Sequence, residues 1–171
     1  MKLAEAQAIA ERVRAELAPF CEPGYCEIAG SIRRKRPEPK DIELVVIPKT
    51  IPSGLFRDMD IRDPGFVSTV GQWFRVKGRA DIGKYTQLVL PDGIKLDLFM
   101  VTQDNFGLQM AIRTGSAEYS HQVLARGWTR LGYESKSGVL WKDGQPTYIR
   151  TEQELFDLLG IPWCPPELRE I

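Results

Sequence analysis

The chain has 171 residues, of which 23 are basic and 23 acidic, so its formal net charge at pH 7 is zero. The length suffices for one domain or two closely packed subdomains, and the composition is typical of a globular protein. Zero net charge excludes a protein that coats nucleic acid through its overall charge. We expect a cytoplasmic protein, because no apolar run could span a bilayer and the N-terminus lacks a signal-peptide pattern.

Cysteine and histidine are too few for two common kinds of site. Cys21, Cys26 and Cys164 have no zinc-ligand spacing, and His121 is the one histidine in the sequence. A zinc site and a serine–histidine–aspartate triad are therefore both disfavoured.

Hydrophobic periodicity and turn residues predict alternating helices and strands. In chain order we predict a helix over 3–18, strands over 25–29 and 41–47, a helix ending near 73, strands over 74–79, 85–90 and 94–101, helices over 105–113 and 117–126, a hairpin around 143–144, and a helix after 151. Short polar residues predict helix N-caps at Ser31, Asp63, Asp104, Ser116 and Thr151. The fold class is α+β, a mixed or antiparallel sheet flanked by helices (residues 1–107) with a small α+β C-terminal subdomain (108–171).

Three carboxylates carry the strongest chemical signal. Asp41 and Glu43 lie two residues apart in one predicted strand, so both project from the same face. Two such carboxylates repel unless a cation lies between them, and an oxygen-only site suits Mg²⁺, with Mn²⁺ as the alternative. Asp97 is a third carboxylate within an apolar strand, where charge is costly without a partner. If the two strands are neighbours, the three form a two-metal site for in-line phosphoryl displacement.

A phosphate-binding segment directly precedes the carboxylates. The Gly30-Ser31 turn can offer backbone N–H groups and a hydroxyl to a phosphate, and Arg34 or Arg33 can add a bidentate guanidinium. A carboxylate metal site next to a phosphate-binding segment predicts nucleotidyl transfer.

These motifs, in this order, resemble the catalytic part of family X DNA polymerases, the polymerase-beta-like branch of the nucleotidyltransferase superfamily. The matching motifs are Ala29-Gly30-Ser31-Ile32-Arg33-Arg34, Asp41-Ile42-Glu43, Lys95-Leu96-Asp97, Arg113-Thr114-Gly115-Ser116 and Arg126-Gly127-Trp128. The resemblance identifies the first subdomain as the palm.

The resemblance also implies a role for each matching residue. Asp41, Glu43 and Asp97 are implied to be catalytic and metal-binding, with Asp97 receiving the primer hydroxyl proton. The implied nucleotide-binding residues are Gly30, Ser31, Arg33, Arg34, Thr114, Gly115 and Ser116. The implied DNA-binding residues are Lys77, Lys84 and Lys95.

The sequence departs from the family pattern at several positions. Glu43 stands where the family more often has Asp, and Ile112-Arg113 replaces an aromatic pair before Thr114. Ala117 and Ser120 replace polar residues that commonly contact the incoming base. The family's N-terminal lyase and helix-hairpin-helix region has no counterpart here.

The leading hypothesis is a minimal template-directed DNA polymerase that acts in repair or in phage or bacterial gap filling. Its partners would be a dNTP and primer-template or gapped DNA, and we expect a monomer, working alone or with a separate DNA-binding protein. Two alternatives stay open. One is a nucleotidyltransferase that modifies a protein, an RNA or a small molecule, and the other is a non-catalytic module that binds DNA ends.

Overall fold

A computed structural model describes residues 1–54 and 59–171 of the chain. The strands of this part are β1 (Cys21–Ile28), β2 (Asp41–Pro48), β3 (Thr50–Pro52), β4 (Asp60–Arg62), β5 (Phe74–Gly78), β6 (Tyr85–Val89), β7 (Lys95–Met100), β8 (Glu134–Lys136), β9 (Val139–Lys142) and β10 (Gln145–Thr147). The α-helices are α1 (Leu3–Leu17), α2 (Gly30–Arg33), α3 (Pro64–Val70), α4 (Phe106–Thr114), α5 (Ala117–Tyr119), α6 (Arg126–Arg130) and α7 (Glu152–Leu159). Among these residues, no helix combines the length and apolar character that crossing a membrane requires.

A five-stranded mixed sheet forms the framework of the first part of the chain. Its order is β1-β2-β7-β6-β5. β2 and β7 are parallel, whereas the other neighbouring pairs are antiparallel. Smaller sheets are formed by β3 with β4 and by β10-β9-β8. The predicted fold class, a mixed sheet flanked by helices, is confirmed.

The alternation of side chains along β2 assigns its two faces different tasks. Ile42, Leu44 and Val46 join the apolar face of α1 in the largest hydrophobic cluster. Val45 lies on the opposite face and clusters with Phe99 of β7 and Met110 of α4. Because side chains in a strand alternate, Asp41 and Glu43 share the face of Val45, on the side covered by α4.

A second hydrophobic cluster lies in the C-terminal part. Its buried members are Leu108, Ala111, Tyr119, Leu124, Trp128, Leu140, Ile149 and Leu155. All of them follow residue 107, whereas the cluster against α1 draws on residues up to Met100. The domain boundary after residue 107 stays a prediction.

Three of the predicted helix caps are confirmed. Asp63 accepts a hydrogen bond of 2.7 Å from the Gly65 N–H at the start of α3. Ser116 caps α5 by accepting from the Tyr119 N–H. Thr151 and Glu154 form the capping box of α7.

Two predicted caps are wrong. Ala29 is the N-cap of α2, so Ser31 lies inside this helix. Asp104 lies within a 3-10 turn over Gln103–Asn105, and its carboxylate accepts hydrogen bonds from Arg150 instead. Ala29 adopts the extended backbone of the cap in α2, and Thr102 adopts it in the 3-10 turn, whereas Asn105 is the cap of α4. Local sequence does not determine which residue takes this position.

The helix predicted to end at residue 126 is also longer than expected. It continues from a π-helical stretch, Ser120–Ala125, into α6, which contains Gly127. A Cβ at Gly127 would lie 3.0 Å from a methyl group of Leu159. Glycine at position 127 is thus explained by the close packing of α6 against Leu159, and not by a need to end the helix.

The cap of α7 gives a stability prediction. Thr151→Ala removes the side-chain acceptor for the Glu154 N–H, and we expect a loss of about 1 kcal/mol in the free energy of unfolding. Urea denaturation measures the loss, with Thr129→Ala on exposed α6 as the control. An equal loss in both variants would contradict the capping role.

Candidate active site

A cavity of about 270 Å³ lies where β2, α2 and the end of α4 meet. Three separate stretches of sequence line it, namely the Gly30-Ser31 segment, the start of β2 and the turn after α4. The lining residues are Ser31, Arg34, Asp41, Glu43, Ile112, Arg113, Gly115, Ser116 and Ala117. Most of the residues predicted to bind metal and nucleotide therefore share one cavity.

The strand register aligns the three carboxylates. β2 and β7 run parallel with Glu43 opposite Asp97 and Asp41 opposite Lys95. We call Asp41, Glu43 and Asp97 the carboxylate row. Burial raises the pKa of Glu43 to about 7, with the charges of Asp41 and Asp97 adding to the effect. Burial and the charge of Asp97 also raise the pKa of Asp41. The row repels itself, as a cation site does without its cation.

Asp97 is held by two donors from β6. The Tyr85 hydroxyl and the Gln87 amide, the latter at 2.9 Å, both donate to Asp97 Oδ1. Tyr85 in turn stacks on Phe99 with ring centroids 5.1 Å apart. These contacts fix the orientation of the carboxylate.

Glu43 packs against the backbone of Gly30. Gly30 has φ of +63°, and a Cβ at this position would collide with the Glu43 carboxylate. Within residues 1–54 and 59–171, no three His, Cys, Asp or Glu side chains are arranged closely enough to hold a metal ion as they stand. The backbone aligns the carboxylate row, while the metal-binding role of its members stays a prediction.

Two buried polar atoms at the cavity residues have no hydrogen-bond partner within the described part of the chain. They are Ser31 Oγ and Arg113 Nε. Buried polar atoms are normally paired, so two orphans in one cavity indicate a place for a polar ligand.

Arg33 takes part in a charge network that includes the C-terminal part. Its guanidinium donates to both carboxylate oxygens of Glu152, at 2.9 and 2.6 Å, and to Thr114 Oγ1 at 2.6 Å. Arg169, whose side chain is fully buried, also donates to Glu152. Burial alone would raise the pKa of Glu152, but the hydrogen bonds and charges of Arg33 and Arg169 outweigh it and lower this pKa.

Arg34 points to the cavity but is also engaged. Its Nε donates to Glu170 at 2.5 Å, and its Nη1 donates to the Thr114 carbonyl at 2.7 Å. Arg33 and Thr114 do not line the cavity, because the Arg33 guanidinium is hydrogen-bonded to Thr114 and Glu152. Their contact with a nucleotide stays a prediction.

Two of the predicted DNA-binding lysines lie on strands of the five-stranded sheet, Lys77 on β5 and Lys95 on β7, and Lys84 lies just before β6. Lys95 is opposite Asp41. Lys77, on the outer strand β5, places its Nζ 5.4 Å from the centre of the Tyr85 ring. Lys84 donates to the Ser137 carbonyl at 3.2 Å. All three side chains are exposed.

Sequence reasoning missed the residues that support this site. Tyr85 and Gln87 alternate on β6, and the tight turn before β7 could have placed them beside Asp97. Glu152 and Arg169 gave no local signal, because Glu152 joins Arg169 to Arg33, which lies more than a hundred residues earlier in the chain. Arg113 was named in a matching motif and in a departure from the family pattern, but it was given no role of its own.

The structure thus combines a mixed sheet flanked by helices with a row of carboxylates beside a cavity of about 270 Å³. Comparisons with known proteins show which folds share this arrangement of helices and strands. Residues 110–170 match the family model described as DNA polymerase beta thumb. The structure is similar to that of Leishmania infantum polymerase beta in a ternary P/T complex, with a TM-score of 0.73 and 17% identity over 100% of this chain and 77% of the other. No curated protein sequence matches the chain. The resemblance predicted from sequence is confirmed: the chain has a polymerase beta-like fold, and its C-terminal part is similar to the polymerase beta thumb.

The raised pKa of Glu43 predicts a pH-dependent stability. The pKa of Glu43 is about 7 in the folded protein, compared with 4.5 for an unperturbed glutamate, as in the unfolded chain. Ionising Glu43 therefore destabilises the fold, and the loss accumulates as the pH rises from about 4.5 through about 7, up to about 3 kcal/mol. In EDTA we expect Glu43→Gln to unfold at a higher temperature than the wild type at pH 8.5 and at a similar one at pH 4.5. Glu118→Gln, on an exposed helical position, should show no such trend.

The network around Glu152 predicts a large loss of stability. Glu152→Gln leaves Arg33 and Arg169 without their shared counter-charge, and we expect unfolding to become easier by about 3 kcal/mol. Chemical denaturation of this variant and of Glu22→Gln, an exposed position, tests the prediction. Equal effects of the two substitutions would show that the network contributes nothing beyond surface charge.

Proposed function

We propose that this protein is a template-directed DNA polymerase that transfers a nucleotide from a dNTP to a primer 3′-hydroxyl, acting on short gaps or primer ends. The observation that carries the proposal is the single cavity shared by Ser31, Arg34, Asp41, Glu43 and the Gly115-Ser116 turn. A nucleoside triphosphate needs phosphate donors at one end and a shaped pocket at the other, next to carboxylates. The polymerase beta-like fold supports this reading.

The carboxylate row fits divalent metal ions by its chemistry. Its donors are all oxygens, which Mg²⁺ prefers as ligands. Strand pairing places them side by side, and their mutual repulsion would be relieved by a bound cation. Asp41, Glu43 and Asp97 would hold two Mg²⁺ ions, or Mn²⁺ in their place. Once bound, the ions would neutralise charge on the transferring phosphoryl group.

The chain's own residues would position the reactants. Ser31 would donate its unpartnered hydroxyl to the triphosphate, and Arg34 would contribute a guanidinium. The Thr114-Gly115-Ser116 turn would shape the sugar end of the pocket. Arg33 would act indirectly, since its contacts with Glu152 hold α2 against the thumb.

Asp97 would act as the proton acceptor. Tyr85 and Gln87 both bind its Oδ1, which leaves Oδ2 for the primer hydroxyl. The primer oxygen would form a bond to the α-phosphorus, the bond from the α-phosphorus to the bridging oxygen would break, and pyrophosphate would leave. The hydroxyl proton would pass to Asp97 Oδ2.

DNA would lie along the lysines on β5, β6 and β7. Lys77, Lys84 and Lys95 are exposed on or beside the strands that carry Tyr85 and Asp97. Contacts with few lysines predict weak binding of duplex DNA that weakens further as salt is added.

Primer extension tests the proposal. We expect the wild type to extend a primer on gapped and ungapped templates in Mg²⁺, and Asp97→Asn to lower the rate at least about a hundredfold. Asp143→Asn is the matched control, because this exposed turn residue has φ of +50°, which asparagine tolerates. An Asp97→Asn variant that folds and extends primers at the wild-type rate would exclude the mechanism.

The same assay separates the alternatives. Parallel reactions with dNTPs and rNTPs, and with labelled nucleotide but no template, report the sugar preference and any transfer to other acceptors. Labelling of RNA or protein without a template would favour the general nucleotidyltransferase. DNA-end binding with no transfer to any acceptor would favour the non-catalytic module.

A further inference from the structure

Arg113 lies in the last turn of α4 and lines the same cavity as Asp41 and Glu43. Its guanidinium carbon is 4.0 Å from the centre of the Phe99 ring. This cation–π contact holds the Arg113 guanidinium against the sheet. The place of Arg113 in α4 sets the position of the guanidinium along β7.

The strand register places that cation beside the carboxylate row. Phe99 follows Asp97 by two residues on β7, so both side chains project from one face, about 6.6 Å apart along the strand. Glu43 is opposite Asp97, and Val45 is opposite Phe99. The guanidinium above Phe99 therefore lies next to the Glu43–Asp97 pair on the face that bears the carboxylates.

Arg113 differs from the other arginines of this region in having no close acidic partner. Arg33 is paired with Glu152, and Arg34 is paired with Glu170. Within the described residues Arg113 makes no ion pair of 4 Å or less, and its Nε is buried without a hydrogen bond. Burial lowers the pKa of Arg113, whereas the charges of Glu43 and Asp97 act in the opposite direction.

We propose that Arg113 is the resident counter-cation of the carboxylate row. In the absence of metal it offsets part of the repulsion among Asp41, Glu43 and Asp97, and its charge weakens the binding of the first divalent ion. This inference rests on the proposed function, since it concerns the same three carboxylates. It makes Arg113 a positioning residue that sets the metal affinity of the site.

Three variants test this role in the full chain. Arg113→Met keeps an unbranched side chain over Phe99 without charge, Arg113→Lys restores the charge, and Arg126→Met removes an exposed charge on α6. Titration calorimetry with Mn²⁺ alone measures the affinity. We expect Arg113→Met to bind the first ion about tenfold more tightly, equivalent to ~1.4 kcal/mol, while Arg113→Lys and Arg126→Met stay near the wild type. Equal affinity in Arg113→Met and the wild type would overturn the inference.

A thermal double-mutant cycle in EDTA provides a readout that needs no metal. We expect Arg113→Met to lower the Tm of the wild type. In the Glu43→Gln background the same substitution should lower the Tm much less, because the repulsion among the carboxylates, which Arg113 offsets, is already reduced. Additive losses would overturn the inference. If the wild type neither bound Mn²⁺ nor extended primers, the proposed function would fail, and this cycle would still decide whether Arg113 balances the carboxylates.

Discussion

The contacts of a single carboxylate, that of Glu152, connect α2 with the C-terminal part of the chain. Glu152, at the start of α7, accepts from Arg33 of α2 and from buried Arg169 near the end of the chain. Buried charges contribute little net stability when paired, but losing one partner is costly. The network therefore acts mainly on geometry. It fixes α2 against the C-terminal part of the chain, and α2 carries Ser31 and leads into Arg34. The shape of the cavity therefore depends on charges that lie outside it.

The site itself is a balance of opposed charges. Strand pairing aligns the carboxylates, and burial together with their mutual repulsion raises the pKa of Glu43. Guanidinium groups approach this row from the end of α2 and from α4. Such an arrangement costs stability in the folded protein, as functional sites often do. The rigid support comes from apolar packing on the other face of the sheet, where Ile42, Leu44 and Val46 meet α1. The two faces of β2 thus divide stability and chemistry between them.

The sequence predicted those features that depend on short-range periodicity. The shared face of Asp41 and Glu43 follows from alternation in a strand, and the caps at Asp63, Ser116 and Thr151 follow from local hydrogen bonding. Features that depend on distant partners could not be obtained in this way. From sequence, Arg33 and Arg34 were equally suitable as phosphate ligands. In the structure Arg33 pairs with Glu152 of α7, whereas Arg34 lines the cavity. The alignment of Glu43 with Asp97 likewise depends on parallel pairing between strands that are far apart in the chain.

The close approach of Gly30 and Glu43 makes the two positions depend on each other. The Glu43 carboxylate fills the space that a Cβ on residue 30 would need, and Gly30 adopts a left-handed backbone that disfavours other residues. An aspartate at position 43 would withdraw the carboxylate by one methylene and relieve the steric half of this constraint, leaving the backbone half. Substitutions at positions 30 and 43 are therefore not independent. With Glu43 in place, a side chain at position 30 meets both the carboxylate and an unfavourable backbone, whereas with aspartate at position 43 the backbone constraint alone would remain.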